Sequence, residues 1–244
     1  LVTTLDPAAQ RVALQQLGGR KGAVVALDPR TGAIRVMASV PGYDPNTVKD
    51  QQQFNALNRD SDAPLLNRNT QAGYPPGSTF KVVTLSAALE SGKFKPESRF
   101  YDPGYCEVYG KRVNNYDTTS PFGRLNLAQA LQYSVNSVFC NIGKALGAKA
   151  IVAQSKKFGF YERPPLETPA DERQPSGLYR GGELYYPKRD SDVDAGRLVG
   201  NFPQAFTHLT LVDAALTLDE GWCRGAGKGP VDATRPGGPR VDQP

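Results

Sequence analysis

Residues 74–92 read YPPGSTFKVVTLSAALESG. Two prolines and a glycine hold the approach stiffly, and Ser78 then opens a segment with Lys81 three positions on. Phe80, Val82, Val83, Leu85, Ala87, Ala88 and Leu89 follow, apolar on nearly every face, until Gly92. A helix apolar all round belongs in the middle of a domain. Residues three apart on a helix share one face, so Ser78 and Lys81 are neighbours at the helix mouth. A serine hydroxyl needs an adjacent base to become a nucleophile, and a lysine serves if it is neutral. Burial and the partial positive charge of a helix's first turn both disfavour the ammonium form. The first-turn N–H groups also have no partner within the helix, so the amide of Ser78 can donate to an oxyanion forming on a carbonyl under attack. Taken alone, SxxK is more often an N-cap serine and a solvated lysine.

A second polar cluster, Tyr133-Ser134-Val135-Asn136-Ser137, interrupts an apolar repeat. Asn126 with Gln129 forms a capping box, and Leu127, Leu131, Val135, Val138, Ile142 and Leu146 keep helical spacing up to Gly147. Periodicity alone runs one helix through this segment. The run of Ser, Asn and Ser favours a local break, because such side chains compete for backbone partners. If the chain breaks there, Ser134 and Asn136 project from a short turn, where a hydroxyl can relay a proton and an amide can hold a peptide bond. The bland alternative is a polar helix face.

The rest of the chain suits one large domain or one domain with a sub-domain. It has 244 residues, 39% hydrophobic and 22% charged, with 25 Gly and 20 Pro. Asp6 and Pro7 start a helix that runs to Leu17 before Gly18-Gly19. Residues 22–40 form a β-hairpin around Asp28-Pro29-Arg30-Thr31-Gly32. Residues 41–77 read mostly as loop, 93–124 as loops and short strands, 147–158 as a short helix and 207–220 as a last helix. Residues 161–200 carry no strong pattern. In residues 224–244 nine of 21 are Gly or Pro, which reads as a disordered tail. The net charge is +5, but the basic residues are scattered, with no basic stripe of the kind that binds nucleic acid. No stretch reaches the ~18 apolar residues of a membrane span, and the N-terminus lacks a signal peptide's pattern. The expectation is that any anchor or export signal lies upstream of Leu1 or is absent. Cys106, Cys140 and Cys223 form no CxxC pair, and His208 is the single histidine, so no metal site and no cofactor are expected. For the cysteines two readings stay open: buried thiols, or a Cys106–Cys140 bridge in a chain working outside the cytoplasm.

SxxK followed by SxN opens the motif set of penicillin-binding proteins and serine β-lactamases. The resemblance goes further. GAVVALDPRTGAIRVMASVPGYDPN (22–46), APLLNRNTQAGYPPGSTFKVVTLSAALESG (63–92) and KKFGFYERPPLETP (156–169) resemble the transpeptidase domain of class B penicillin-binding proteins, with the likeness covering about residues 1–221. It implies an α/β fold: an antiparallel sheet flanked by helices, with an all-helical sub-domain around Ser134. Ser78 would be the acylated nucleophile, Lys81 its base, Ser134 the proton relay to the leaving group, and Asn136 the holder of the substrate's peptide amide. The implied reaction is D,D-transpeptidation of peptidoglycan stem peptides ending in D-Ala-D-Ala, with β-lactams as mimics of the donor. It would take place on the extracytoplasmic face of the membrane, with a glycosyltransferase partner for the full-length protein.

The likeness lacks one part. The family's third motif, K[ST]G, is absent; the nearest string, Gly227-Lys228-Gly229, lies in the tail. The expectation is therefore a truncated transpeptidase domain over 1–221 with an incomplete sheet, a tail at 222–244, an unpaired edge on the hairpin, and weak or no activity, since one lost oxyanion donor costs ~10²–10³ in rate. Two alternatives follow: a serine β-lactamase, or a catalytically decayed β-lactam-binding fragment. Against the first, class A enzymes add E-x-x-L-N, and Glu167 here is followed by Thr-Pro-Ala-Asp. A Ser-His-Asp triad through His208 has no support, and no isolated carboxylate pair suggests a glycosidase.

Overall fold

The structure, a computed structural model, describes residues 2–108, 110–180 and 183–187. The helix expected at 207–220, His208, Cys223 and the Gly/Pro tail lie outside the described residues.

Helix α1 (Pro7–Leu17) starts as its sequence predicts: the Asp6 carboxylate accepts from the amides of Ala8 and Ala9, and Gly18 closes the helix in the left-handed region. Strands β1 (Gly22–Leu27) and β2 (Ile34–Val40) pair antiparallel, from Gly22 opposite Val40 to Leu27 opposite Ile34. One face of this ribbon packs on α1 through Ala13, Val36 and Ala38. Ser39 Oγ then donates to the Leu66 carbonyl and accepts from the Arg68 amide. These bonds tie the ribbon to the segment leading into Ser78. Among the described residues, β1 and β2 have no third strand beside them.

The segment read as loop holds a helix, α2 (Gln51–Arg59). Asp50 caps it by accepting from the Gln53 amide. Gln and Leu are good helix formers and Asp is a good cap, but so short and polar a helix has too little apolar periodicity to stand out. None of its residues is buried.

Gly77–Phe80 form a 3-10 turn, and α3 (Lys81–Glu90) continues from it. The reason for its all-round apolarity is visible in its neighbours, for α3 separates two cores. On one side Leu85 and Ala88 join Leu125, Leu127, Ala130, Val135, Val138, Phe139 and Ile142. On the other, Phe80 and Val83 join Phe158 and Phe160, with Phe80 and Phe160 edge to face at 5.7 Å. The surrounding helices are α4 (Leu127–Gln132), α5 (Asn136–Leu146) and α6 (Ala148–Lys157). The capping box at α4 is formed as read: Gln129 N donates to Asn126 Oδ1, and Asn126 N to Gln129 Oε1.

This helical sub-domain also carries two short antiparallel ribbons. Strand β3 (Arg99–Asp102) pairs with β6 (Gly123–Asn126), and β4 (Tyr105–Val108) with β5 (Lys111–Asn114). A last ribbon, β7 (Tyr179–Arg180) with β8 (Glu183–Leu184), closes the described part. Of the two cysteine readings, the structure has the bridge. Cys106 on β4 and Cys140 on α5 form a disulfide with Cα atoms 6.2 Å apart, fastening the β4–β5 ribbon to α5. No helix among the described residues is long and apolar enough to cross a membrane.

Candidate active site

The break between α4 and α5 brings the two polar clusters together. Helix α4 stops at Gln132, and Ser134 adopts φ +54° before α5 begins at Asn136. A non-glycine residue in the left-handed region is uncommon and needs surroundings that hold it there. They do: Ser134 N donates to the Leu131 carbonyl, Val135 N to the Ala130 carbonyl, and the Val135 side chain is buried in the core. A one-residue kink pinned at both ends turns Ser134 outward and aims Asn136 at α3.

Lys81 receives them. Its Nζ lies 3.1 Å from Ser78 Oγ, 2.8 Å from Ser134 Oγ, 2.6 Å from the Ser134 carbonyl oxygen and 2.6 Å from Asn136 Oδ1. All four residues named from the sequence thus meet at one nitrogen. Ser78 and Ser134 are exposed while Lys81 is 8% exposed, so the amine is buried and the two serines lie at the surface. The Phe139 ring lies 5.8 Å from Nζ, and the four oxygens are all neutral. Burial with no carboxylate among these partners pushes the Lys81 amine down to about 8.

The four partners are not equivalent. The Ser134 carbonyl and Asn136 Oδ1 can only accept, whereas the two hydroxyls can donate or accept. A neutral amine has two N–H groups and one lone pair. Its N–H groups satisfy the two obligate acceptors, and its lone pair is left for the Ser78 proton. The amine can therefore take that proton without rearranging its other bonds.

Asn136 is held in turn. Its Nδ2 donates to the Asn114 carbonyl at the end of β5, 2.8 Å away, which settles which amide atom faces Lys81. Behind this pair sits a polar cluster that the sequence did not disclose. Asp102, 0% exposed, accepts from Ser137 Oγ, from Asn115 Nδ2 at 2.8 Å, and from the amides of Gly104 and Phe122, each at 2.8 Å. Asn115 Oδ1 accepts from Ser137 N. Burial raises the Asp102 carboxyl, but the bonds from Ser137, Phe122, Gly104 and Asn115 outweigh it and hold the group below the usual carboxylate range. In sequence, Asp102-Pro103-Gly104 looks only like a turn; its partners are 13 and 35 residues away, beyond any local signal. Among the described residues no group of three or more His, Cys, Asp or Glu side chains could hold a metal ion.

Comparison with known proteins points to one family. The model of the penicillin binding protein transpeptidase domain matches residues 22–176. The peptidoglycan D,D-transpeptidase MrdA of Acinetobacter baumannii is 33% identical over 204 residues, 82% of this chain and 30% of that protein. The peptidoglycan D,D-transpeptidase PbpA of Mycobacterium tuberculosis is 32% identical over 238 residues, 90% of this chain and 46% of that one. The chain thus spans less than half the length of either relative. Among solved structures, penicillin-binding protein A of M. tuberculosis in a ceftriaxone acyl-enzyme complex superposes with a TM-score of 0.70 at 27% identity, covering 86% of this chain and 49% of that one. Penicillin-binding protein 2 of Pseudomonas aeruginosa, in complex with WCK 5153, gives 0.71 at 28%, covering 87% and 50%.

Proposed function

This chain belongs to the penicillin binding protein transpeptidase domain family, and we propose that it carries the acylation site of a peptidoglycan D,D-transpeptidase. The observation that carries the reading is the convergence of Ser78, Ser134 and Asn136 on a buried Lys81 with a lowered proton affinity. The names of the curated relatives, and the acyl-enzyme formed by a solved neighbour, support the same reading.

The chemistry runs as follows. Neutral Lys81 takes the Ser78 proton as Oγ attacks the carbonyl carbon of the penultimate D-alanine. The Ser78 N–H, in the first turn of its segment, donates to the oxygen that becomes negative. Ser134 Oγ, within reach of Nζ, passes the proton to the nitrogen of the terminal D-alanine as the peptide C–N bond breaks. Free D-alanine leaves, and the acyl group stays on Ser78. The amine of a neighbouring stem peptide then attacks this ester, gives up its proton along the same route in reverse, and restores the Ser78 hydroxyl. Asn136 holds the donor's peptide amide. A general base placed this way contributes ~10²–10⁴ in rate. β-Lactams enter at the first step and acylate Ser78. The substrate lies outside the cytoplasm, so the site works on the extracytoplasmic face of the membrane. The glycan strands it links come from a glycosyltransferase partner.

Mass spectrometry after penicillin treatment tests the proposal. A persistent adduct on Ser78, lost in Ser78→Ala, is the expected result. Rapid release of the adduct would favour a serine β-lactamase. A folded chain that takes no label would make it a decayed fragment.

A further inference from the structure

Two neighbouring pairs of residues fasten α5 to the β4–β5 ribbon and its exit. The outer pair is Asn136 Nδ2 to the Asn114 carbonyl. The inner pair, one residue further along each segment, is Ser137 N to Asn115 Oδ1. Behind both lies the Asp102 carboxylate. Its Oδ1 takes the Ser137 hydroxyl and its Oδ2 takes the Asn115 side-chain amide. One oxygen therefore grips the residue after Asn136, and the other grips the residue after Asn114. The two remaining lone-pair directions are filled by the amides of Gly104 and Phe122, which fix Asp102, the last residue of β3, to the entries of β4 and β6.

We propose that Asp102 is a positioning residue for Asn136: with Asn115 and Ser137 it sets the separation between the Asn114 carbonyl and α5, and so holds Asn136 Oδ1 on Lys81. A carboxylate suits the position because all four groups facing it donate: each oxygen meets one backbone N–H, which can do nothing else, together with the Ser137 hydroxyl on one side and the Asn115 side-chain amide on the other. An amide in its place would turn an NH₂ group toward a backbone N–H whichever way it lay, and an unmet buried polar group is costly. Among the described residues, the groups bonded to or stacked near Lys81 are Ser78, Ser134, Asn136 and the Phe139 ring, with no charged group among them. Asn136 Oδ1, at 2.6 Å, is thus a principal support of the ammonium form, and its displacement lowers the proton affinity of Lys81.

The inference rests on the transpeptidase reading for its catalytic meaning, but it has a readout independent of any reaction. In the full chain, Lys81 is titrated through its ¹³Cε resonance, assigned by its loss in Lys81→Met, alongside the rate of Ser78 acylation by a fluorescent penicillin. Asp102→Asn is expected to move the Lys81 midpoint down by about one unit, the worth of one hydrogen bond to a charged group. It is also expected to slow acylation by about 10- to 100-fold, as a displaced polar contact does. Should Asp102→Asn fail to fold, Ser137→Ala decides: it trims one buried hydroxyl and is expected to move both readouts the same way by a smaller amount. A hub that serves only stability would lower the melting temperature in these variants and leave the Lys81 midpoint and the acylation rate at the wild-type values; that result overturns the proposal. If the wild-type chain takes no β-lactam, the transpeptidase reading fails, while the Lys81 titration still decides whether Asp102 holds Asn136.

Discussion

On the proposed mechanism the proton affinity of Lys81 enters both the acylation rate and the stability of this chain, and the two should change across the same pH range. The folded-state amine titrates near 8 against an ordinary value of 10.5. Below pH 8 the folded and unfolded chains both carry the proton, so folding bears the full cost of burying an ammonium. Between about 8 and 10.5 the unfolded lysine keeps its proton and the folded one has lost it. The unfolded state then binds more protons, and stability rises with pH. Above 10.5 the cost is gone. A difference of about 2.5 units corresponds to about 3 kcal/mol. The assay is urea unfolding of wild type and Lys81→Met at pH 7 to 10.5. Tyrosines and other lysines titrate in both proteins, so the difference between the two isolates Lys81, and loss of the neutral amine's bonds to Ser134 and Asn136 adds only a pH-independent offset. The wild type should gain about 3 kcal/mol on the variant across this range. In parallel, the acylation rate of Ser78 should rise about tenfold per unit below pH 8 and level above it, because only the neutral amine accepts the serine proton. A limb centred near 10.5, or a wild-type minus variant stability that stays flat with pH, would refute the reasoning.

Other perturbations have definite outcomes. Ser134→Gly removes the relay hydroxyl at a φ of +54° that glycine adopts freely, so acylation should fall by about 10²-fold or more with thermal stability kept or raised by a few tenths of a kcal/mol; Ser134→Val, β-branched in the same conformation, should cost about 1–3 kcal/mol in the melt. Ile142, fully buried between α3, α4 and α5, should lose about 2–5 kcal/mol on change to Ala, read by urea denaturation. Reduction of the Cys106–Cys140 bridge, whose ends are 34 residues apart, should lower stability by about 3–4 kcal/mol in the loop-entropy picture, seen as a drop in melting temperature with dithiothreitol and absent from Cys106→Ser/Cys140→Ser.

Much of this molecule was legible in its residues because the relevant forces act over short distances. Asp6-Pro7 and Gly18 bracket α1; the Asp28–Gly32 turn joins β1 to β2; Asn126 and Gln129 box the start of α4. Each of these is a contact between residues a few positions apart, so spacing and residue type suffice. Ser78 and Lys81 were legible for the same reason, as neighbours within one turn of one segment. The polar run at 134–137 suggested a break, yet an unbroken helix satisfied the same periodicity. The structure has the break: Val135 stays in the core, and Ser134, at φ +54°, turns out toward Lys81. Tertiary structure alone decided what Lys81 meets and what stands behind it. Ser134 and Asn136 arrive from more than 50 residues away, and beyond its own turn Asp102 collects donors from Asn115, Phe122 and Ser137. An aspartate before Pro-Gly reads as a turn, and a lysine after Ser-x-x reads as a base or as a solvated cation. Desolvation and the geometry of distant neighbours make the first a buried carboxylate and give the second a lowered proton affinity.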